Sequence, residues 1–408
     1  MPPAPTTPPG ASPDRPIDAV ATSIAAFVGY FSAGPIATAT RVASFTDLER
    51  DFGGLSRVSL ASYAVHQFFV NGGRDAWIIR TASGDTPLPA GEVTTALPGA
   101  TDLMAALSCL DAVDLFNVLC VPDTERLSDA DAALVIAAAN ACVVRRRAIY
   151  VVDLPQRDAA RDQAGAVETW LDAHPQLRSA NAALYFPRPE LADPLDRNQP
   201  RVIPASGTIA GLFARVDAAR GVWKAPAGRD AALQGVVGLE RRVSEAQNER
   251  LAALGVNCLR IFGSTGPVAW GARTLAGAQP LASPDKYLPV VRLGLHIEES
   301  VIRGTRLEPG DLNGEPLWSH LRLRVGTFMH RLFTDGALQG LTPREAFLVK
   351  CDSDTTSADD IANGFVNIVV GFAPLKPAEF VLIRIQQLLH LGPDDPDPRD
   401  AAASKGRS

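Results

Sequence analysis

The sequence predicts an α/β domain built on a parallel sheet, followed by a smaller α+β domain. Within residues 75–190, short apolar strands alternate with helices, and strands that are apolar at every position are typical of a parallel sheet covered on both faces. Residues 263–287 are rich in Gly, Pro and Ser, which indicates a linker. From residue 288 onward helices precede strands, which is the order of an α+β domain.

The helices of the first domain have recognisable end signals. Three arginines close the alanine-rich stretch 129–147, where positive charge offsets the dipole at a helix end. Ser244 and Gln247 form a capping-box pattern, and Gly255 lies where that helix should end. We predict strands at 76–80, 115–121, 148–152, 182–186 and 258–262, helices at 102–112, 129–147 and 163–172, and a helix starting at Ser244.

The second domain begins with two helices. Val290, Leu293, Ile297 and Val301 recur at helical spacing, and Pro316 occupies a favoured first position of a second helix that ends before Gly336. Strands are predicted at 346–351, 365–372 and 380–387. The predicted division is an N-terminal arm at 1–19, domains at 20–262 and 288–390 joined by the linker 263–287, and a polar tail at 391–408.

Composition limits the class of protein. The 408 residues are 46% apolar and 21% charged, as in soluble globular proteins, and length suggests two or three domains. The net charge of −6 argues against general nucleic-acid binding, and no run of about 20 apolar residues predicts a membrane helix. The N-terminus has no basic segment followed by an apolar one, so we expect no secretory signal and a cytoplasmic protein until assembly.

The sequence contains a partial phosphate-loop motif and a partial calcium-loop motif, and each lacks required residues. Gly266 and Gly271 have the spacing of a phosphate loop, yet Ala272 and Arg273 replace its Lys and Ser/Thr. The stretch 352–363 begins like a calcium loop, but Ser357 stands where glycine is required and Asn363 where a bidentate glutamate is required. We therefore predict no catalytic residue, no bound metal and no cofactor, and the chain is not expected to be an enzyme.

Two aspartates stand where ligands bind in open α/β sheets. Asp123 and Asp153 each follow an apolar strand, and ligands in such folds bind beyond the carboxyl ends of strands. The alternative is that both cap the turn into the next segment. Capping is favoured, because no nucleophile, base or glycine-rich cradle accompanies them.

The last strand is predicted to act between molecules. Pro374 and Pro377 separate it from the strand before, and only a polar tail follows, so its edge is free to pair with a neighbour. An ordinary internal strand of its own domain is the alternative. The predicted inter-subunit residues are Phe380, Val381, Leu382, Ile383, Arg384 and Ile385.

A series of motifs in order along 15–385 resembles contractile tail sheath proteins of phage tails, R-type pyocins and extracellular injection systems. The set is collinear over nearly the whole folded chain, which makes it more specific than any single motif. It comprises Arg15-Pro16-Ile17, Asp51-Phe52-Gly53-Gly54, Asn71-Gly72-Gly73, Pro204-Ala205-Ser206-Gly207, Arg220-Gly221-Val222-Trp223, Trp270-Gly271-Ala272-Arg273, Glu315-Pro316-Leu317-Trp318 and the C-terminal segment 363–387.

This resemblance implies a subtilisin-like α/β domain without protease function, a smaller C-terminal domain that lines the tube, and terminal arms that donate strands to neighbours. It implies a homo-oligomer of helically stacked hexameric rings, or co-assembly with sheath paralogues, with inner tube, baseplate and cap proteins as partners. Neither nucleic acid nor membrane is an expected partner. Assembly is expected in the bacterial cytoplasm, within a phage tail or a tail-like particle that can be released outside the cell.

The second helix of the C-terminal domain carries the predicted tube contact. At 100° per residue, His320, Arg324, Thr327 and Arg331 fall on one polar stripe beside an apolar one. A solvated helix face is the alternative. Because the resemblance places this domain at the lumen, we predict that His320, Arg324 and Arg331 contact the tube.

The sequence departs from the family in two places. Residues 1–14 lack the aromatic, alternating strand of many sheath arms, and residues 306–314 replace a hydrophobic strand. These departures favour a specialised baseplate-proximal or end-layer paralogue, or an adaptor, as the alternative to a main sheath subunit. A catalytic α/β hydrolase or nucleotide-binding enzyme is a third interpretation, which the incomplete motifs disfavour.

Overall fold

A computed structural model describes residues 16–81, 97–156, 163–263, 265–278, 283–307, 312–375 and 380–389. The chain forms two compact units, one of residues 21–295 and one that combines 1–20 with 296–408. Most of the predicted arm 1–19 and all of the predicted tail 391–408 lie outside the described residues.

The larger unit is built on an eight-stranded sheet in the order β11-β10-β6-β5-β4-β1-β3-β2. The strands from β10 to β3 in this order run parallel, and β2 and β11 pair antiparallel at the two edges. The prediction of a parallel-dominated sheet is confirmed. The strands are β1 Ala25–Gly29, β2 Thr40–Val42, β3 Ala76–Arg80, β4 Val118–Cys120, β5 Ile149–Val152, β6 Ala182–Phe186, β10 Val256–Phe262 and β11 Gly266–Ala269.

Both faces of this sheet are buried, which explains why its strands are apolar at every position. Alternate residues of β1 enter two separate cores: Phe27 lies in one and Val28 in the other. The helices of this unit are α1 Phe45–Phe52, α2 Leu60–Val70, α3 Ala100–Ser108, α4 Asp129–Arg145, α5 Gln163–Ala173, α6 Ser206–Arg220 and α7 Glu245–Ala253. Ser244 closes the predicted capping box of α7.

A second, antiparallel sheet in this unit did not emerge from the sequence. It has the order β8-β7-β9, formed by β7 Pro189–Asp193, β8 Gln199–Val202 and β9 Val236–Leu239. The region 263–287, predicted as a linker, lies inside the larger unit, because β11 pairs with β10 there. Gly266 therefore begins a strand rather than a phosphate loop.

Helices α2 and α6 pack closely because α6 carries glycines at the contact. A Cβ on Gly207 would lie 2.0 Å from the backbone oxygen of Ala64, and one on Gly211 would lie 2.4 Å from that of Phe68. No side chain fits at these distances, so glycine is required for the approach of the two helices.

The smaller unit pairs helices with a three-stranded antiparallel sheet, as predicted. It contains the last part of helix α8 Leu288–Gly304, followed by α9 Glu315–Thr334, α10 Pro343–Ala346, β12 Phe347–Lys350, α11 Ala358–Ala362, β13 Phe365–Phe372 and β14 Val381–Leu388. Alternate residues of β13, namely Val366, Ile368 and Val370, are buried, and α9 packs against β12. No helix in the described part of the chain is long and apolar enough to cross a membrane.

The contact between α2 and α6 generates a first prediction. Gly207→Ala should lower the free energy of unfolding of the larger unit by about 3 kcal/mol or more, because the new methyl group meets backbone atoms that cannot move aside. Gly326→Ala in α9 is the matched control: nothing lies within 4 Å of its Cβ position, so it should stabilise by about 0.5–1 kcal/mol. Urea denaturation followed by circular dichroism measures both, and equal effects of the two changes would contradict the close approach.

Candidate assembly surfaces

The outer side of α9 presents two of the three residues predicted to contact a tube. His320 is half-buried and Arg331 is exposed. Thr327 is exposed with them, and Leu323 is 67% exposed. Leu323 lies just outside the predicted polar stripe, so the helical wheel did not include it in the tube contact. Together these side chains form an exposed surface that is partly basic and partly apolar.

Arg324 occupies a different environment. Its guanidinium is half-buried and donates a hydrogen bond to the backbone oxygen of Gly304, the last residue of α8, at 2.6 Å. A cation is favourable at a helix C-terminus, where the carbonyl groups lack partners. Arg324 thus joins α9 to α8 inside the unit, and the tube-contact prediction depends on His320 and Arg331.

The predicted inter-subunit strand lies in β14, apart from Phe380 just before it. It pairs antiparallel with β13 of its own chain, from Phe372 opposite Val381 to Phe365 opposite Leu388. The sheet order is β12-β13-β14, so the other edge of β14 has no partner strand within the described residues. Its backbone groups can accept a further strand from another molecule. Pairing with a neighbour stays a prediction.

The two aspartates at the carboxyl ends of strands are both buried. Asp123 accepts a hydrogen bond on Oδ2 from the backbone N–H of Tyr30 at 2.7 Å. Asp153 accepts one on Oδ1 from the backbone N–H of Ser206, the first residue of α6, at 3.1 Å. Each carboxyl therefore fixes the backbone of a distant segment, whereas the capping interpretation had placed each on its own following turn.

Charged residues that the sequence did not single out surround Asp153. Arg188 donates to both carboxylate oxygens of Glu240, at 2.7 and 3.0 Å, and to Glu125 at 3.2 Å. Together with Asp153 these three side chains line a small cleft of about 60 Å³ that also includes Trp170. The cluster is assembled from residues spread over more than 100 positions, from Glu125 to Glu240, so no local pattern could reveal it.

Burial dominates the protonation of this carboxyl-rich region. It raises the pKa of Asp123 to about 6, although Arg126 acts in the opposite direction. Burial also raises the pKa of Glu125, which shares the guanidinium of Arg188 with Glu240. It raises the pKa of Asp153 as well, although the charge of Arg188 acts in the opposite direction. Burial outweighs the attraction of the Arg188 charge at both carboxyls, so they retain a proton more readily than exposed carboxyls do.

The contacts of this cluster hold segments of the chain together. Its hydrogen bonds run to backbone N–H groups and to a guanidinium. Among the residues that the structure describes, no three His, Cys, Asp or Glu side chains are grouped so as to hold a metal ion. Asp352, the start of the incomplete calcium loop, instead accepts hydrogen bonds from the backbone N–H groups of Asp354 and Thr355.

Comparison with known proteins identifies similar chains. Residues 97–275 match the family model of the phage tail sheath protein central domain. A prophage major tail sheath protein of Pseudomonas aeruginosa (strain UCBPP-PA14) is 26% identical over 193 residues, which are 46% of this chain and 47% of that protein. The alignment thus spans about half the length of this relative.

Solved structures match over a much longer part of the chain. A chain of the helical sheath of the anti-feeding prophage in its contracted state is 28% identical, with a TM-score of 0.68, over 93% of this chain and 98% of that one. A chain of the anti-feeding prophage baseplate is 26% identical, with a TM-score of 0.69, over 94% and 98%. The contracted sheath complex of an extracellular contractile injection system has a TM-score of 0.71 over 94% and 96% at 22% identity, which shows a shared fold. The resemblance to contractile tail sheath proteins is confirmed.

The buried carboxyls generate a prediction about pH. Their pKa values are higher in the folded than in the unfolded chain, so the folded state binds extra protons and loses stability as pH rises. For Asp123 the loss falls between about pH 4, its ordinary unfolded value, and pH 6, at up to about 1.4 kcal/mol per pH unit. For Glu125 and Asp153 the loss also begins near pH 4 and ends at the raised pKa of each group.

Asp153→Asn tests whether stability falls as pH rises. The amide keeps an oxygen for the N–H of Ser206 but does not titrate, so the decline in stability with pH should become shallower than in the wild type. The exposed Glu249→Gln is the control and should leave the slope unchanged. Urea denaturation at intervals from pH 4 to 9 gives the slopes, and a steeper decline in the Asp153 variant would refute the assignment.

Proposed function

We propose, from the confirmed resemblance to contractile tail sheath proteins, that this chain is a structural subunit of a contractile sheath. The observation that supports the proposal most is the match along nearly the whole chain to a chain of a contracted helical sheath. In this proposal subunits polymerise as stacked hexameric rings around an inner tube, and the sheath contracts to drive the tube into a target. The action is mechanical and needs neither a catalytic residue nor a cofactor.

The proposed mechanism requires rigid subunits and changeable contacts. The larger unit, which we take to be subtilisin-like without protease function, keeps its fold through its doubly covered sheet. Contraction repacks subunits between two discrete arrangements, as bistable interfaces do, while strands exchanged at the termini preserve connectivity. Inner tube, baseplate and cap proteins are the proposed partners, and assembly takes place in the bacterial cytoplasm.

A second candidate is a specialised layer next to the baseplate or at an end of the sheath. The match to a chain of an anti-feeding prophage baseplate favours it. The number of copies per particle separates the two functions: a main sheath protein fills many rings, whereas an end-layer protein fills one or a few. Quantitative mass spectrometry of purified particles measures this number, and a low-resolution electron image shows whether a sheath surrounds the tube.

The α9 surface generates a prediction about tube binding. His320→Glu combined with Arg331→Glu should weaken the binding of subunits to the tube in the extended state and leave contacts between subunits intact. Exposed ion pairs contribute roughly 0–1 kcal/mol each, so the effect depends on many repeats and should diminish as salt is raised. Co-sedimentation of subunits with purified tubes over a salt titration measures it.

Arg324 supplies the contrast for this experiment. Arg324→Ala should lower the thermal stability of the chain, because the C-terminus of α8 loses its hydrogen-bond donor. Arg331→Ala should change the stability by less than about 0.5 kcal/mol, as is usual at exposed sites. Normal tube binding by the His320/Arg331 double variant at every salt concentration would eliminate this surface as the tube contact.

The free edge of β14 generates a prediction about polymerisation. Deletion of 379–408 removes this strand and should block sheath assembly while leaving the larger unit folded. Deletion of 390–408 keeps β14 and is the matched control, which should still assemble. Electron microscopy and limited proteolysis report assembly and folding, and normal sheaths from the longer deletion would be incompatible with a role for the strand between subunits.

A further inference from the structure

The outer face of the small sheet carries an apolar row that is exposed among the residues that the structure describes. Leu348, Gly371 and Leu382 are directly opposite one another across β12, β13 and β14. The side chains of Leu348, Leu382 and Phe380 converge on Gly371, since each lies 2.9 Å from its Cβ position. Leu382 is 61% exposed, Phe380 43% and Leu348 37%. Three large apolar side chains exposed in one patch are typical of a contact surface.

A basic row lies beside the apolar one. Lys350, Val369 and Arg384 are opposite one another two residues further along each strand, and hence on the same face. Lys350 and Arg384 are exposed, and neither forms an ion pair within the described residues. We call Leu348, Lys350, Phe380, Leu382 and Arg384 the basic–apolar face. Its partner must offer acidic groups together with an apolar side chain.

The same unit carries a surface of that composition. The segment 354–361, which we call the acidic segment, contains Asp354, Asp359, Asp360 and Ile361. Asp354 and Asp359 are exposed, and their carboxylates form no ion pair in the part of the chain that is described. Ile361 is 38% exposed. The acidic segment therefore complements the basic–apolar face in charge and in apolar character.

The two surfaces cannot meet fully within one chain. Asp359 and Ile361 lie on α11, which directly precedes Phe365 at the start of β13. Gly371, at the centre of the apolar row, lies six residues along this extended strand, at about 20 Å from its start. Asp354 follows Lys350 of its own chain by only four residues, but the strand keeps Ile361 away from the apolar row. The apolar partner of Ile361 therefore lies on another molecule.

We propose that the basic–apolar face of one copy binds the acidic segment of a second copy. Ile361 enters the apolar row, and Asp354 and Asp359 pair with Lys350 and Arg384. The contact joins two different patches, so every copy can use its face toward one neighbour and its segment toward another. Such heterologous contacts generate rings or helical filaments. This inference rests on the proposed sheath function and assigns to it a contact distinct from the β14 edge.

Charge reversal on the two surfaces tests the contact. Variant one carries Lys350→Glu and Arg384→Glu, and variant two carries Asp354→Lys and Asp359→Lys. Each variant alone places like charges on both surfaces, so self-association of the full chain should fall by about tenfold or more at low salt. In an equimolar mixture every face meets a segment of opposite charge, so association should return. Sedimentation velocity measures all three samples, and circular dichroism checks that the variants are folded.

Each outcome of this experiment either supports or overturns the proposed contact. Recovery in the mixture supports the contact, because two misfolded chains do not restore each other. Wild-type association in either variant, or no recovery in the mixture of folded variants, overturns the contact and leaves the sheath function intact. Absence of polymers from the wild type, both alone and in particles, overturns the sheath function and this contact together. Arg242→Glu, the same type of change at an exposed position of the larger unit, is the control and should associate like the wild type.

Discussion

The close packing of α6 is the constraint on which the larger unit depends. All residues from Ser206 to Ala214 are buried, so this part of the helix is surrounded by protein. Gly207 allows α2 to approach α6, and the carboxyl of Asp153 accepts a hydrogen bond from the backbone N–H of Ser206, the first residue of α6. A buried helix end without such a partner would leave polar groups unpaired at a cost of a few kcal/mol. The helix, the sheet edge and the buried carboxyls therefore form one structural arrangement.

This arrangement explains why a buried acidic cluster is compatible with a structural protein. Open α/β sheets bind ligands beyond the carboxyl ends of their strands because backbone and side-chain polar groups gather there. In this chain those groups bind one another: Asp123 bonds to Tyr30, Asp153 to Ser206, and Arg188 to two glutamates. The place where an enzyme of this architecture would hold its substrate instead joins segments of the chain.

Patterns that are local in sequence predicted most of the fold. The strands near 76–80 and 182–186 and the helix that starts next to Pro316 were found within one or two residues, because hydrophobic periodicity and capping specify them. The sheet of β7, β8 and β9 was not predicted. Strands β7 and β8 contain prolines, the three strands show few apolar alternations, and β9 lies more than 40 residues after β7. Such pairing depends on tertiary contacts, which periodicity does not record. Strand β11 was missed for a related reason, since its Gly and Pro suggested a linker.

The same limit applies to the assembly surfaces. A helical wheel placed Arg324 and Arg331 on one stripe, but only the position of α8 shows that Arg324 donates to Gly304 whereas Arg331 is exposed. Exposed charges and single apolar side chains contribute little to the stability of one chain, and each contact that they would form in the proposed sheath is weak. In a polymer these contacts recur at every subunit, so their sum is large while each can be exchanged separately. A sheath that is stable before contraction and still able to repack requires this division between a strongly held subunit and weak, repeated contacts.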